Sequence, residues 1–247
     1  MIRPELVAHR GYPARFPENS LAGIEAALDA GARWLEVDIQ LTRDGVPILF
    51  HDPDLERLCG VEGSVLDTRL DELRRLRLVG SGPDDARDSW GIPTLEESVA
   101  RVASRAGRTT FYEIKPDPVE RFGSVAVVER VLAALAPVRD RAVVISYLPE
   151  VIPRVRDAGW SRTGLILKTW DQRSSAETRA LEPDFVFCNV KKLPSEGDLR
   201  SDGFPLAVYD VTDPERALEL AERGVDLVET FAIGEMIDAL GRPEIGE

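Results

Sequence analysis

Three features of this 247-residue sequence predict a (β/α)8 TIM barrel with a β-hairpin and a small insertion after its second strand. Short apolar runs alternate with amphipathic stretches eight times along the chain. The length suits one such barrel as a single domain over residues 1–247. Reactive residues recur at the carboxyl ends of the apolar runs, the rim where barrels of this class place their chemistry.

The first strand is Leu6-Val7-Ala8 ending in His9, followed by a loop rich in Pro and Gly. Asn19 or Ser20 is an N-cap for a helix through Ala30, with Leu21, Ile24 and Leu28 on its buried face and Gly31 at its end. The second strand runs from Trp34. Alternate residues of a strand share a face, so Glu36 and Asp38 place two carboxylates on one wall.

Asp44-Gly45 between residues 39–42 and 46–50 is a hairpin signal. With a two-residue loop, Arg43 pairs with Val46 and Asp38 lies opposite His51; a three-residue loop shifts this register by one.

Residues 52–92 break the alternation and read as an insertion, with loops at 62–64 and 81–85 and a short helix near 71–76. The pattern then resumes as helix 95–106, strand 110–114, helix 124–135, strand 142–146, helix 149–158 and strand 164–168. Next come a helix within 172–181, strand 185–189 and a helix near 195–201. Strand 206–209, helix 213–223, strand 227–229 and helix 233–240 close the series.

No apolar segment approaches the roughly 20 residues of a membrane span, and no apolar signal region precedes the first strand, so stable membrane insertion is not expected and a cytoplasmic location is. A net charge of −13 argues against nucleic acid as a partner. A cation and a few basic side chains can still make one pocket receptive to a small phosphate compound. Cys59 and Cys188 lack metal-type spacing and read as bystanders. Nothing in the sequence fixes the oligomeric state.

Glu36, Asp38 and Glu113 end neighbouring barrel strands, and three converging carboxylates without cysteine make a hard oxygen site suited to Ca2+ or Mg2+. Such a cation relieves their repulsion and can polarise a phosphoryl oxygen. The chain has two histidines, His9 and His51, both at strand ends; flanking such a site they form a natural acid and base. Arg10 offers a planar fork for phosphate, and Lys115, two residues beyond Glu113, can hold a phosphate oxygen or partner the carboxylates. Together these residues point to a metal-assisted phosphoester hydrolase.

His9-Arg10-Gly11, Pro17-Glu18-Asn19-Ser20, Glu36-Val37-Asp38, Thr42-Arg43-Asp44-Gly45, His51-Asp52 and Glu113-Ile114-Lys115 together resemble the glycerophosphodiester phosphodiesterase family, with a further trace in Gly224-Val225-Asp226. The resemblance implies a TIM barrel, Ca2+ or Mg2+, and hydrolysis of small glycerophosphodiesters to glycerol 3-phosphate and an alcohol. By position it implies acid–base roles for His9 and His51 and metal ligation by Glu36, Asp38 and Glu113. It also implies phosphate contacts from Arg10 and Lys115, and a substrate contact from Tyr209, where such proteins commonly carry tryptophan. Thr212 stands in place of a common Asn, and Thr230-Phe231, preceded by Glu229, replaces Thr-Asp, so the alcohol and glycerol pockets differ from the family pattern. Two rivals are a phosphodiesterase acting on lysophospholipids (lysophospholipase D-like) and a barrel that binds phosphodiesters without turnover. The first needs an apolar slot, for which residues 52–92 offer no long apolar run; the second should have lost a histidine.

Overall fold

The computed structural model describes residues 2–80, 90–200 and 203–241. Among the described residues the chain runs β1 (Glu5–His9), α1 (Leu21–Ala30), β2 (Trp34–Leu41), β3 (Pro47–Leu49), α2 (Glu56–Cys59), α3 (Leu70–Leu73), α4 (Leu95–Ala103) and β4 (Thr109–Ile114). It continues through α5 (Pro116–Phe122), α6 (Ser124–Leu135), β5 (Ala142–Ser146), α7 (Val151–Asp157), β6 (Thr163–Ile166), α8 (Ala176–Leu181), β7 (Phe185–Asn189), β8 (Leu206–Tyr209), α9 (Pro214–Glu222), β9 (Leu227–Thr230) and α10 (Ile233–Leu240).

Eight of these strands are parallel and, with β1 bonded to both β2 and β9, close into a (β/α)8 barrel; β3 hangs antiparallel on the outer end of β2. None of the described helices is long and apolar enough to cross a membrane.

The alternation of strand side chains sorts the interior into two cores. One face of each strand packs outward against the helices, through residues such as Leu35, Val37, Tyr112, Val144 and Val186. The other face fills the barrel with Val7, Phe111, Val143, Ile145, Phe185 and Phe187. Phe111 stacks on Trp34 with ring centroids 5.4 Å apart and meets Phe185 and Phe187 edge-on at 5.1 and 5.0 Å. This aromatic plug seals the barrel below, so the cavity above it opens only toward the carboxyl ends of the strands.

The insertion carries a third core of its own, in which Leu55, Leu58, Val65, Leu73, Trp90 and Ile92 pack on Ile48 and Phe50 of the hairpin. The loop at residues 62–64 and a short helix are present, the helix starting one residue early at Leu70; the loop expected at 81–85 lies outside the described residues. Helix α2 and helix α5 were not foreseen. Pro116 at the first turn of α5 and Gly123 after it are helix boundary signals that Pro118 obscures.

Two expectations are corrected. No helix forms near residues 195–200, and Ser201 lies outside the described residues. The chain there instead buries Leu199 and is held by Arg223, which donates to the carbonyls of Pro194 (2.7 Å) and Gly197 (3.0 Å). A side chain from α9 thus supplies the hydrogen bonds that a helix would have made.

The hairpin takes the three-residue loop. Leu41 pairs with Pro47 and Ile39 with Leu49, so Asp38 lies opposite Phe50, whose N–H donates to the Asp38 carbonyl, and not opposite His51. Gly45 has φ +74°, completing a turn closed by the Gly45 N–H on the Thr42 carbonyl, and Arg130 donates to the Gly45 carbonyl at 2.8 Å. A Cβ at Gly45 would sit in left-handed backbone and displace the Arg130 guanidinium. Gly45→Ala should therefore cost about 1–2 kcal/mol, the usual penalty of that conformation for an L-residue. Thermal unfolding checks this: at about 2–4 °C per kcal/mol, an unchanged midpoint would show that the turn does not depend on this glycine.

Candidate active site

The chain turns sharply as it leaves β1. Arg10 and Gly11 both adopt positive φ, and the Arg10 N–H donates to the carbonyl of Glu36 at 2.9 Å, which pins the turn to the end of β2. Gly11 passes so close to α1 that a Cβ would approach the Gly23 backbone to 2.9 Å. His9 consequently stays on the inner face, level with Glu36, while Arg10 swings over Asp38.

Asn19 sits in left-handed backbone just before the N-cap Ser20, which itself accepts from the Gly23 N–H. Freed from capping, the Asn19 amide donates to Asp38 Oδ2 at 2.8 Å, and its carbonyl oxygen accepts from the Asp38 N–H at 3.1 Å. Asp38 is thereby fixed in one orientation, its carboxylate 1 % exposed. Lys115 Nζ lies 3.2 Å from Asp38 Oδ1 and 2.8 Å from Glu113 Oε1, and Arg10 Nε is 3.1 Å from Asp38 Oδ2. Burial alone would raise the Asp38 carboxyl, but Lys115 and Arg10 beside it hold it well below the usual carboxylate range.

Glu36 and Glu229 behave oppositely. Both are buried, and burial followed by repulsion from neighbouring carboxylates pushes each well above the ordinary value. Glu36 Oε1 is buried without a partner. His9 stands between them, with Nε2 3.6 Å from Glu36 Oε2 and 4.0 Å from Glu229 Oε2, and Nδ1 3.6 Å from Asp210 Oδ1. Its ring stacks on Phe231 at 4.6 Å and meets Tyr209 edge-on. Burial, reinforced by Arg10, lowers the imidazole well below its ordinary value, so His9 is neutral near pH 7.

His51 is reached differently. Its Nδ1 lies 2.5 Å from Asp52 Oδ1, and Asp52 Oδ2 accepts from Arg57 Nε of α2 at 2.6 Å. Arg57 also grips Glu18 with both terminal nitrogens, at 2.9 and 2.8 Å, and Glu18 in turn accepts from Arg10 at 3.1 Å. One guanidinium therefore ties the histidine on the hairpin to the arginine on the barrel.

His9, Arg10, Glu36, His51, Glu113, Lys115 and Tyr209 all line one cavity of about 260 Å³, with Asp38 directly behind it. The structure thus brings together every residue expected at the site. Lys115 takes up the carboxylate partnership that was one of its two expected uses, Arg10 joins it at Asp38, and His51 arrives one place out of the expected register. Glu229 was noted only as a strand end, whereas it lines the cavity wall with Asp210 and Tyr147, the last joined to Tyr209 through their hydroxyls at 2.6 Å. The part played by Asn19 was hidden by its equal suitability as a cap, and that of Arg57 by its position in the irregular insertion.

Glu36, Asp38 and Glu113 offer one oxygen each within 4.8 Å of one another. That is inside the roughly 5 Å that a Ca2+ with bonds of about 2.3–2.6 Å can span. An all-oxygen set with an unpartnered buried oxygen, in which burial and then neighbouring carboxylates push Glu36 up, fits a hard divalent cation.

The model of the glycerophosphoryl diester phosphodiesterase family matches residues 9–233. The chain is 31% identical over 175 residues to glycerophosphodiester phosphodiesterase 1 of Bos taurus, covering 68% of this chain and 50% of the bovine protein. It is 31% identical over 146 residues to a glycerophosphodiester phosphodiesterase of Bacillus altitudinis, covering 58% of each. The chain thus spans about half the length of the mammalian relative. Among solved structures, an Oleispira antarctica phosphodiesterase in complex with the product sn-glycerol-3-phosphate superposes with TM-score 0.82 at 24% identity, over 97% of this chain and 98% of that one. A glycerophosphodiester phosphodiesterase of Parabacteroides distasonis gives TM-score 0.79 at 24% identity, over 97% of both chains.

A cation bound only by the folded state stabilises it by mass action, by about 2.7 kcal/mol at a hundredfold excess over Kd. Added Ca2+ or Mg2+ should therefore raise the melting temperature by roughly 5–10 °C, and Asp38→Asn should shrink that rise. An equal rise in the variant would put the ion elsewhere.

Proposed function

Because the chain belongs to the glycerophosphoryl diester phosphodiesterase family, we propose that it is a cytoplasmic, metal-dependent hydrolase acting as one barrel domain on small glycerophosphodiesters such as glycerophosphocholine or glycerophosphoethanolamine. The products are glycerol 3-phosphate and the free alcohol. The observation that carries the reading is the convergence of both histidines on the cavity lined by Glu36 and Glu113, backed by Arg10 and Lys115. The unpaired state of Cys59 and Cys188 accords with the cytoplasmic location.

Glu36, Asp38 and Glu113 would hold the cation, Ca2+ or Mg2+, which when bound would supply Lewis-acid polarisation of a phosphoryl oxygen. Arg10 and Lys115 bring fixed positive charge to the same place, where negative charge builds as the phosphorus is attacked. His9, neutral and buried, accepts the proton of the nucleophile, either water or the substrate's own neighbouring hydroxyl. As the new P–O bond forms, the bond to the departing alcohol breaks and His51 protonates its oxygen; where the neighbouring hydroxyl attacks, the product is a cyclic phosphodiester, which water then opens to glycerol 3-phosphate. Asp52, held by Arg57, orients the His51 ring through Nδ1. Tyr209 walls the substrate beside His9. The small polar cavity supports this reading over a lysophospholipid substrate, since about 260 Å³ lies below the ~300–1,000 Å³ of drug-sized pockets and leaves little room for an acyl chain.

Glycerol 3-phosphate should be released from glycerophosphocholine in the presence of Ca2+ or Mg2+ and not in excess EDTA; full activity in EDTA would sink the metal role. An alkoxide leaving group needs the proton and a nitrophenolate hardly does. His51→Ala should therefore lower kcat/KM about 10²- to 10⁴-fold on glycerophosphocholine and far less on a nitrophenyl phosphodiester, while His9→Ala loses activity on both. Equal losses for His51→Ala, with the selective loss in His9→Ala, would reverse the two roles.

A further inference from the structure

The mechanism above leaves unused a buried carboxyl that lines the cavity. Glu229 is 3 % exposed, lines the cavity, and its Oε1 has no hydrogen-bond partner. A carboxylate can accept at four lone-pair positions, and buried polar atoms left unsatisfied are rare enough that each asks for a partner.

The protein does not provide one. Among the described residues no lysine or arginine pairs with Glu229, and its one ion-pair contact is His9 Nε2 at 4.0 Å, beyond hydrogen-bond reach and nearer to Glu36. The cation site does not claim it either, since Glu229 lies outside the group formed by Glu36, Asp38 and Glu113. Asp210 is differently placed: it is 32 % exposed, and its Oδ2 already accepts from Asn189 at 2.8 Å.

Strand register fixes the depth. Glu229 pairs with Val7, whereas His9 pairs with Glu36, so Glu229 stands one inward-facing step before the base along the strands, beside Tyr209 in the register of the last two strands. Only a short arm of a bound diester, adjoining His9, can reach it. The unpartnered Oε1 calls for a hydrogen-bond donor on that arm, since a carboxyl oxygen of this kind accepts. In the mechanism above the departing alcohol, choline or ethanolamine, lies at the acid His51, so the arm beside the base His9 is the glycerol arm, which has hydroxyls to donate.

We propose that Glu229 is a specificity-determining residue which accepts a hydrogen bond from the terminal hydroxyl of the substrate's glycerol arm, so that the site selects diesters whose glycerol is not acylated there. The proposal rests on the hydrolase reading above. A site built to bond a hydroxyl rejects the analogue lacking it, because its own buried acceptor is then left unpaired.

The test compares glycerophosphocholine with the phosphocholine diester of 1,2-propanediol, which keeps the neighbouring hydroxyl and lacks the terminal one. The wild type should prefer the glycerol compound by ~100-fold or more in kcat/KM. In Glu229→Gln and Glu229→Leu that preference should collapse, the loss falling far more heavily on glycerophosphocholine. Preference retained in both variants, or equal losses on the two substrates, would overturn the proposal. So would loss of the Ca2+-dependent rise in melting temperature in Glu229→Gln, which would make the residue a metal ligand. Calorimetry in the presence of Ca2+ separates the two readings: the ratio of affinities for sn-glycerol 3-phosphate and inorganic phosphate should fall toward unity in both variants whether or not the wild type turns over. A wild type inert on both diesters sinks the hydrolase reading, while an unchanged affinity ratio in the variants sinks the role of Glu229.

Discussion

Concentrated negative charge on the barrel rim is the constraint to which the rest of the site answers. Glu36, Asp38, Glu113 and Glu229 are buried carboxylates on three strands, and among the described residues only Asp38 and Glu113 have a lysine or arginine within ion-pair distance. Burying such groups is costly unless they are paired and hydrogen-bonded. Lys115, Arg10 and the Asn19 amide offset that cost at Asp38, which is why the loop after β1 contorts through two positive-φ residues to bring Arg10 over it. Among the described residues Glu36 accepts only the Arg10 backbone N–H, at Oε2, and its Oε1 is left without a partner, available to a divalent ion.

Much of this was legible in the sequence because it follows from period two. Glu36 and Asp38 share a face whatever surrounds them, and consecutive barrel strands bring Glu113 beside them in register, Asp38 against Glu113. His9 was legible from its place at a strand end, and Tyr209 from the family resemblance. Less legible were features that depend on a competition between equally good local choices. Asn19 and Ser20 are both natural caps, and only the packing of β2 decides that Asn19 serves Asp38 instead. Asp44-Gly45 suits a two-residue or a three-residue loop, and the burial of Phe50 beside the insertion goes with the second. Residues 195–200 have no helical partner to bury, and Arg223 from a distant helix satisfies their carbonyls.

His51 shows how a wrong register can still deliver the right residue. A one-place shift would ordinarily reverse the face a strand presents, but β3 ends at Leu49 and His51 lies beyond the ladder. Its direction is set by Asp52 and Arg57 rather than by pleat. Phe231 likewise takes up a structural role, stacking on His9 and lying under the Arg10 guanidinium at 5.7 Å.

The separate core of the insertion divides the molecule's assembly into two instalments. Leu55, Leu58 and Leu73 pack against Trp90 and the hairpin, whereas the carboxylates and His9 belong to strands stabilised by the barrel's own cores. Local opening follows such boundaries. A chain whose barrel has closed but whose insertion has not docked would hold its cation-binding carboxylates in place and lack a fixed partner for His51, because Arg57 arrives only with α2. On the proposed mechanism the carboxylate cluster depends on the barrel alone, whereas the fixed orientation of His51 depends also on a segment that contributes no strand to it.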